Sequence, residues 1–348
     1  MIQFCIAKFI SVVSGKFDFN VSCMFFNLCQ NAEQMETRKG ELLKEEYFFI
    51  RNADIIIKKM VELNVHADSN HATLLVDEIL HSIFFLGKIK TPPLTPKDIV
   101  TDDEMYDALK YDYPRPFDLY SSQLPRRSPF SCVLDMIVHL EGQENEDMII
   151  KKLQQLIHRL KEGDTDELVP STICVSQNTN ILNAVKYYGV SMSTSGANPG
   201  QIMIATSCFG IWDDYVAGAV MTYYPNKVKK SYFDGTIKLP KNIRCEAFNL
   251  NTGEQKPSCR SCVNLFGLNL QVAYKEWPYG NCAEAESVSN LLKNEEDVKL
   301  QAQPTSETCT EKNRLIAKED VLKHLKSVLR MMKFKWDNNF YTPQTVYV

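Results

Sequence analysis

Two short segments late in the chain restrict its possible folds more than anything else in the sequence. Pro257-Ser258-Cys259-Arg260-Ser261-Cys262 and Trp277-Pro278-Tyr279-Gly280-Asn281-Cys282-Ala283-Glu284 put three cysteines and a carboxylate into one supersecondary unit. The Cys-x-x-Cys spacing lets one thiolate at a turn and one in the first turn of a helix grip the same ion. Pro257 is a residue that opens helices. Pro278-Tyr279-Gly280-Asn281 reads as a loop delivering Cys282 into a second helix start. Helix N-termini favour thiolates through their unsatisfied N–H groups and dipole. If the three sulfurs share an ion, the two helix starts must face each other, and the rest of the half must fold to allow it.

The ligand count leaves three readings open. Three protein ligands leave one tetrahedral position of zinc free, which is the arrangement of a catalytic site. Glu284, two residues after Cys282, can then sit beside the metal without binding it and carry a proton. A fourth ligand, from Cys245 or Cys309, would make the site structural. With no metal at all, Cys259 and Cys262 are a reduced or redox-active pair, Cys282 is buried, and Glu284 complements the helix dipole. Glu286 is expected to be solvated.

Tyr279-Gly280-Asn281-Cys282-Ala283-Glu284, with Val288 and Leu292 following at helical spacing, resembles the zinc-binding helix of the cytidine deaminase-like superfamily, which carries Cys-Ala-Glu or His-Ala-Glu. Pro257 to Cys262 resembles that family's second helix start, Pro-Cys-x-x-Cys, with one extra residue after the proline. In the family the Cys-Ala-Glu helix comes first and a strand separates the two; here the order is reversed. The resemblance covers the C-terminal half. It implies a three-layer α-β-α domain and a Zn2+ cofactor held by Cys259, Cys262 and Cys282, with Glu284 as the catalytic acid–base. The implied reaction is hydrolytic removal of the amine from a cytosine- or adenine-type base, in a nucleoside or a nucleic acid, by an active or an inactive member. Trp277 and Tyr279 are the candidates to stack on that base, or else core anchors. The alternative class is a non-enzymatic interaction protein, a helical module joined to a domain whose cysteines are structural or merely reduced.

Composition narrows the setting. The chain has 348 residues, 44% hydrophobic and 24% charged, with a formal net charge of −4. That argues against a protein coating nucleic acid over its whole surface, while leaving room for a local basic groove. Eleven cysteines, with one tightly spaced pair, fit reduced thiols of a cytoplasmic or nuclear protein better than a secreted disulfide scaffold. No apolar run reaches membrane-spanning length, so no membrane partner is expected. Nucleosides and single-stranded nucleic acid are the partner classes the motifs suggest, and oligomeric state is left open.

The remaining organisation is helical first, then mixed, so the fold class is α+β or α/β. Residues 1–40 read as a poorly packed extension, with translation starting at Met1 or Met35. Residues 41–165 read as a helical domain and 170–348 as the deaminase-like α/β domain, with the polar segment 163–167 between them. Helices are expected over 42–63, 74–84, from Thr101, over 130–139 and 147–160. His71 and His81 on the second of these read as surface or partly buried residues. Segments 113–117 and 124–129 read as loops; Arg115, Arg126 and Arg127 with Tyr111, Tyr113 and Tyr120 make a basic-aromatic cluster, either solvated or able to meet single-stranded nucleic acid. In the second half a helix is expected over Ile181–Tyr188, closed by Gly189. Strands are expected over Gln201–Ser207, Tyr215–Tyr224, weakly at Ile237 and Leu239, and over Arg244–Leu250. Two further helices are expected, over Glu284–Leu292 and Lys318–Met332.

Overall fold

The computed structural model describes residues 19–67, 69–161, 165–269 and 275–344, with side chains from residue 40 onward. Residues 1–18 of the expected extension and most of the 163–167 segment's start lie outside the described residues. The chain divides into Met1–Tyr47 and a second compact unit, Phe48–Val348. Residues 165 and 170 both fall within that second unit.

Helix α1, Phe19–Ala67, is a long run whose later part buries Phe49, Ile56, Ile57 and Met60 at helical spacing. Ser69 caps α2, Asn70–Lys88, by accepting the N–H of Ala72. The proline-rich stretch after it ends in a capping box, Thr95 with Asp98, that opens α3, Pro96–Ile99. Asp102 caps α4, Asp103–Asp112. The 113–117 segment is helical: α5 runs Pro114–Leu119, because Pro114 stands at a first-turn position where its missing N–H costs nothing. Helices α6, Pro129–Glu141, and α7, Glu146–Leu160, complete this half.

His81 is fully buried, with its ring stacked 3.9 Å from that of Tyr341. Asp77, one turn earlier, accepts the Tyr341 hydroxyl at 2.5 Å. The expected basic-aromatic cluster is split: Tyr113 is buried, Tyr111 is exposed, and the arginines are half-buried. Arg127 pairs with Glu78 at 2.8 Å and with Asp135, and Arg115 donates to the carbonyl of Thr342.

The second half holds a four-stranded antiparallel sheet in the order β2-β1-β3-β4. Its strands are β1 Thr172–Asn178, β2 Lys186–Val190, β3 Ile243–Asn249 and β4 Gln255–Lys256. Strand β3 matches expectation, whereas β1 was not foreseen and the helix expected over 181–188 is instead a hairpin tip and β2. The segments around 201–207 and 215–224 are helices, α8 Ala197–Gly210 and α9 Asp214–Tyr223, rather than strands. Residues 202–208 are all buried, so both faces of α8 are apolar and no amphipathic period distinguishes it from a buried strand. Ile237 and Leu239 pair with the carbonyls of Leu265 and Phe266 without forming a strand. Helices α10 Arg260–Phe266, α11 Ala283–Asn294, α12 Glu296–Gln301 and α13 Glu311–Met331 follow.

The sheet is covered on both faces. Helix α11 lies along β1 and β2 on one side. On the other, Tyr188 donates its hydroxyl to the carbonyl of Gln143, and Arg244 forms a two-pronged pair with Glu146 at 2.8 Å, tying the sheet to the α6–α7 turn. One hydrophobic cluster joins Ile57, Phe85 and Ile157 of the helical half to Ile173, Val175 and Leu291 of the other. No described helix is long and apolar enough to cross a membrane.

Candidate metal centre

The positions of α10 and α11 follow from short polar ties. The turn Pro278–Asn281 carries Gly280 at φ 92°, where an added Cβ would lie 3.0 Å from Ile204 and Val220. Met192 donates to the carbonyl of Asn281 at 2.9 Å, fixing the turn against the end of β2. Ser261, in α10, donates to the carbonyl of Trp277 at 2.7 Å and so holds the first helix start against the approach to the second.

Helix α11 is then pressed onto the sheet. Gly189 of β2 is the contact point: a Cβ there would meet Ser287 N at 2.3 Å and Ala283 O at 2.5 Å. Ser287 Oγ reaches Ser176 Oγ at 2.7 Å and the Tyr187 carbonyl at 2.8 Å. Val190 donates to Glu286 Oε2 at 2.8 Å. Glu286 is thus not a solvated side chain; it is half-buried and pins the helix to the strand, and desolvation pushes its pKa up to about 7.

These ties bring the three predicted sulfurs together. Cys259 stands at the N-cap of α10, Cys262 in its first turn, and Cys282 at the N-cap of α11. Cys259 Sγ lies 3.5 Å from Cys262 Sγ and 3.4 Å from Cys282 Sγ, and all three ligand atoms fall within 4.8 Å of one another. Tetrahedral zinc with Zn–S bonds of about 2.3 Å separates neighbouring sulfurs by roughly 3.8 Å. The donor set and spacing therefore fit such an ion within a few tenths of an ångström. Among the described residues this is the sole ligand cluster. Neither proposed fourth sulfur belongs to it: Cys245 Sγ lies 3.7 Å from Cys174 Sγ, and Cys309 Sγ accepts from Arg314 at 3.6 Å.

The electrostatics show how closely the sulfurs interact. Hydrogen bonds with Cys262 and Cys282 pull the Cys259 thiol down to about 2, with the N–H groups of Cys262 and Ser261 acting the same way. Bonds with Cys259 and Cys282 hold Cys262 well above the usual thiol range, and the bond with Cys259 does so for Cys282. Binding a cation would require these thiols to give up their protons.

Glu284 is 5% exposed. Burial pushes its carboxyl up to about 7, against the pull of its own backbone N–H, while the charge of Cys259 raises it further. The two aromatic candidates lie apart in role. Trp277 is 46% exposed with Lys275 over its ring at 5.5 Å. Tyr279 is buried, its ring stacked on Tyr223 at 3.9 Å, its hydroxyl donating to Glu276 and accepting from Asn264. One edge of Tyr279 lines a cavity of about 270 Å³.

A larger groove of about 660 Å³ runs along β3 and β4 and includes Lys241, Cys245, Lys256, Pro257 and Ser258. Its wall thus leads directly into Cys259. Lys256 donates to Thr172 Oγ1 at 2.8 Å, and its charge is felt at Glu284. Lys256 had no motif to mark it; the strand register places it on the groove wall together with Cys245.

Helix α10 precedes α11, and none of the described residues between them forms a strand. The crossover strand of the deaminase pattern is therefore not found among the described residues of that connection. No protein family, curated protein or solved structure matches the chain.

Proposed function

We propose that the chain is a zinc-dependent hydrolytic deaminase of cytosine- or adenine-type bases, built on a rearranged form of the deaminase-like domain. The observation that carries this reading is the pairing of a three-sulfur group with a buried carboxylate two residues beyond its third cysteine. A structural zinc site has no use for an acid there, and the fourth sulfur it needs is absent from the described cluster.

Cys259, Cys262 and Cys282 would hold the ion. Zinc held there would supply Lewis acidity and would acidify the attacking water. Glu284 would take one proton from the attacking water and deliver it to the ring nitrogen, then carry the second, from the hydroxyl now on the ring carbon, to the departing amine, which leaves as ammonia. A carboxyl with a pKa of about 7 suits both directions, since neither its acid nor its base form is scarce near neutrality. The groove beside Lys256 and Ser258 is the approach for the base, and its size is within the range of small-ligand sites. A sheet flanked by α11 on one face and α6–α7 on the other supports the three-layer reading.

The test combines metal analysis with turnover. Purified protein should contain about one zinc per chain, as a three-ligand site demands, and Cys259→Ser should lose it. A screen over free nucleosides, single-stranded DNA and RNA should find ammonia release that Glu284→Ala abolishes while zinc is retained. A zinc-loaded protein inert across the screen, with Glu284→Gln as stable as the parent, would overturn the enzymatic reading.

A further inference from the structure

Strands β1 and β3 carry a second pair of cysteines that the metal centre does not use. Cys174 lies opposite Ala247, and Cys245 lies opposite Ser176. The two are diagonal neighbours across one ladder, on the face that α11 covers. Their sulfurs are 3.7 Å apart. Their access differs sharply: Cys174 is fully buried, while Cys245 is half-buried and lines the 660 Å³ groove. Among the described residues, this is the one close sulfur pair outside the metal group.

We propose that Cys174 and Cys245 form a reversible dithiol–disulfide pair, oxidised by exchange with a small disulfide of the glutathione type that enters the groove. The Cys245 thiolate attacks one sulfur of that disulfide. The small S–S bond breaks, a mixed disulfide forms on Cys245, and one glutathione leaves, taking up the proton that Cys245 shed. Cys174 then attacks the Cys245 sulfur. The mixed bond breaks, the Cys174–Cys245 bond forms, and the second glutathione leaves with the proton from Cys174. Two protein thiols are oxidised and one small disulfide is reduced to two thiols.

Geometry assigns the order. Only Cys245 faces the groove, so it is the entering thiol. Cys174 is fully buried away from the groove, and burial pushes its thiol up, so it acts second, as the resolving thiol. Lys241 and Lys256 on the groove wall match the carboxylates of glutathione, while the acidic Glu246 is engaged by Arg244 at 2.6 Å. Closure would tie β1 to β3 beneath the first turn of α11. The pair goes beyond the deaminase reading and does not require it.

Full-length protein equilibrated in buffers of rising oxidised-to-reduced glutathione ratio, then alkylated and mapped by peptide mass, tests this. Zinc is measured on the same samples, so the metal-centre reading succeeds or fails separately. The expected result is a linked Cys174–Cys245 peptide that accumulates with the ratio and disappears on reduction. Cys174→Ser should stop at a glutathione adduct on Cys245, and Cys245→Ser should give neither product. Cys174 and Cys245 both remaining alkylatable in the most oxidising buffer would overturn the proposal. So would oxidation confined to Cys259, Cys262 and Cys282. The wild-type map decides on its own, so a variant that fails to fold does not remove the test.

Discussion

Replacing Gly189 with alanine should damage the sheet and the metal centre together. The new Cβ would stand 2.3 Å from Ser287 N and 2.5 Å from Ala283 O, against an ordinary contact of 3.4 Å or more. Both obstacles are backbone atoms of α11, so no side chain can swing away. The helix must retreat by about 1 Å, at the upper end of the 1–3 kcal/mol typical of overpacking. Ser287, Glu286 and Asn290 all hold α11 to β1 or β2 and resist that retreat. A loss of about 3 kcal/mol should lower the urea midpoint by roughly 1 M with little change in slope. The same retreat displaces Cys282, next to Ala283, by a distance large compared with the tolerance of a 3.4 Å sulfur–sulfur edge. Zinc retention under a competing chelator should therefore fall in step. Gly40→Ala, where nothing lies within 4 Å of the added carbon, serves as the control and should cause no loss. An unchanged midpoint and unchanged zinc retention in Gly189→Ala would refute the claim that α11 is seated through this glycine.

Asp77 gives a pH test in the helical half. Burial raises its carboxyl from 3.8 to about 6, despite the Tyr341 hydroxyl bond. A raised folded pKa means the native state holds the proton more tightly, so the group's contribution is complete below about pH 4 and is lost as pH rises through 6. Relative to the parent, Asp77→Asn should gain up to about 3 kcal/mol between pH 4 and pH 7.5, read from paired urea titrations; a difference that stays flat with pH would contradict the assignment. Arg127→Met should cost about 3–5 kcal/mol, because it strands Glu78 and Asp135 without their partner. Restoring most of that loss by adding Glu78→Leu would confirm the ion pair as its source, whereas simple additivity in the double-mutant cycle would count against it.

The three-sulfur group was legible because its chemistry is local. Each helix start shows its own thiolate in sequence, and the Cys-x-x-Cys and Cys-Ala-Glu spacings survive any rearrangement around them. What brings the two starts together is spread over distant positions. Ser261 reaching the Trp277 carbonyl and Met192 reaching the Asn281 carbonyl leave no pattern in the chain. The helical half was read well because Ile149, Leu153, Leu156 and Leu160 repeat with a clear period. Helices α8 and α9 were misread as strands because they are buried nearly all round, which erases that period. Strand β1 was missed for a related reason: Thr172 to Ser176 are buried on both sides of the sheet and do not alternate. Gly189 resembled a helix stop. Its actual role, close approach of a helix, depends on a partner nearly a hundred positions away in sequence.

The salt link of Arg244 with Glu146 and the Tyr188–Gln143 bond have a practical corollary for anyone dissecting this molecule. Trimming away everything ahead of the first strand would bare the reverse side of the sheet, where Ile173, Val175 and Tyr188 are sheltered. An isolated cysteine-bearing fragment should therefore aggregate instead of reporting on metal affinity, and the helical portion is better regarded as the second wall of the chamber than as an appended module.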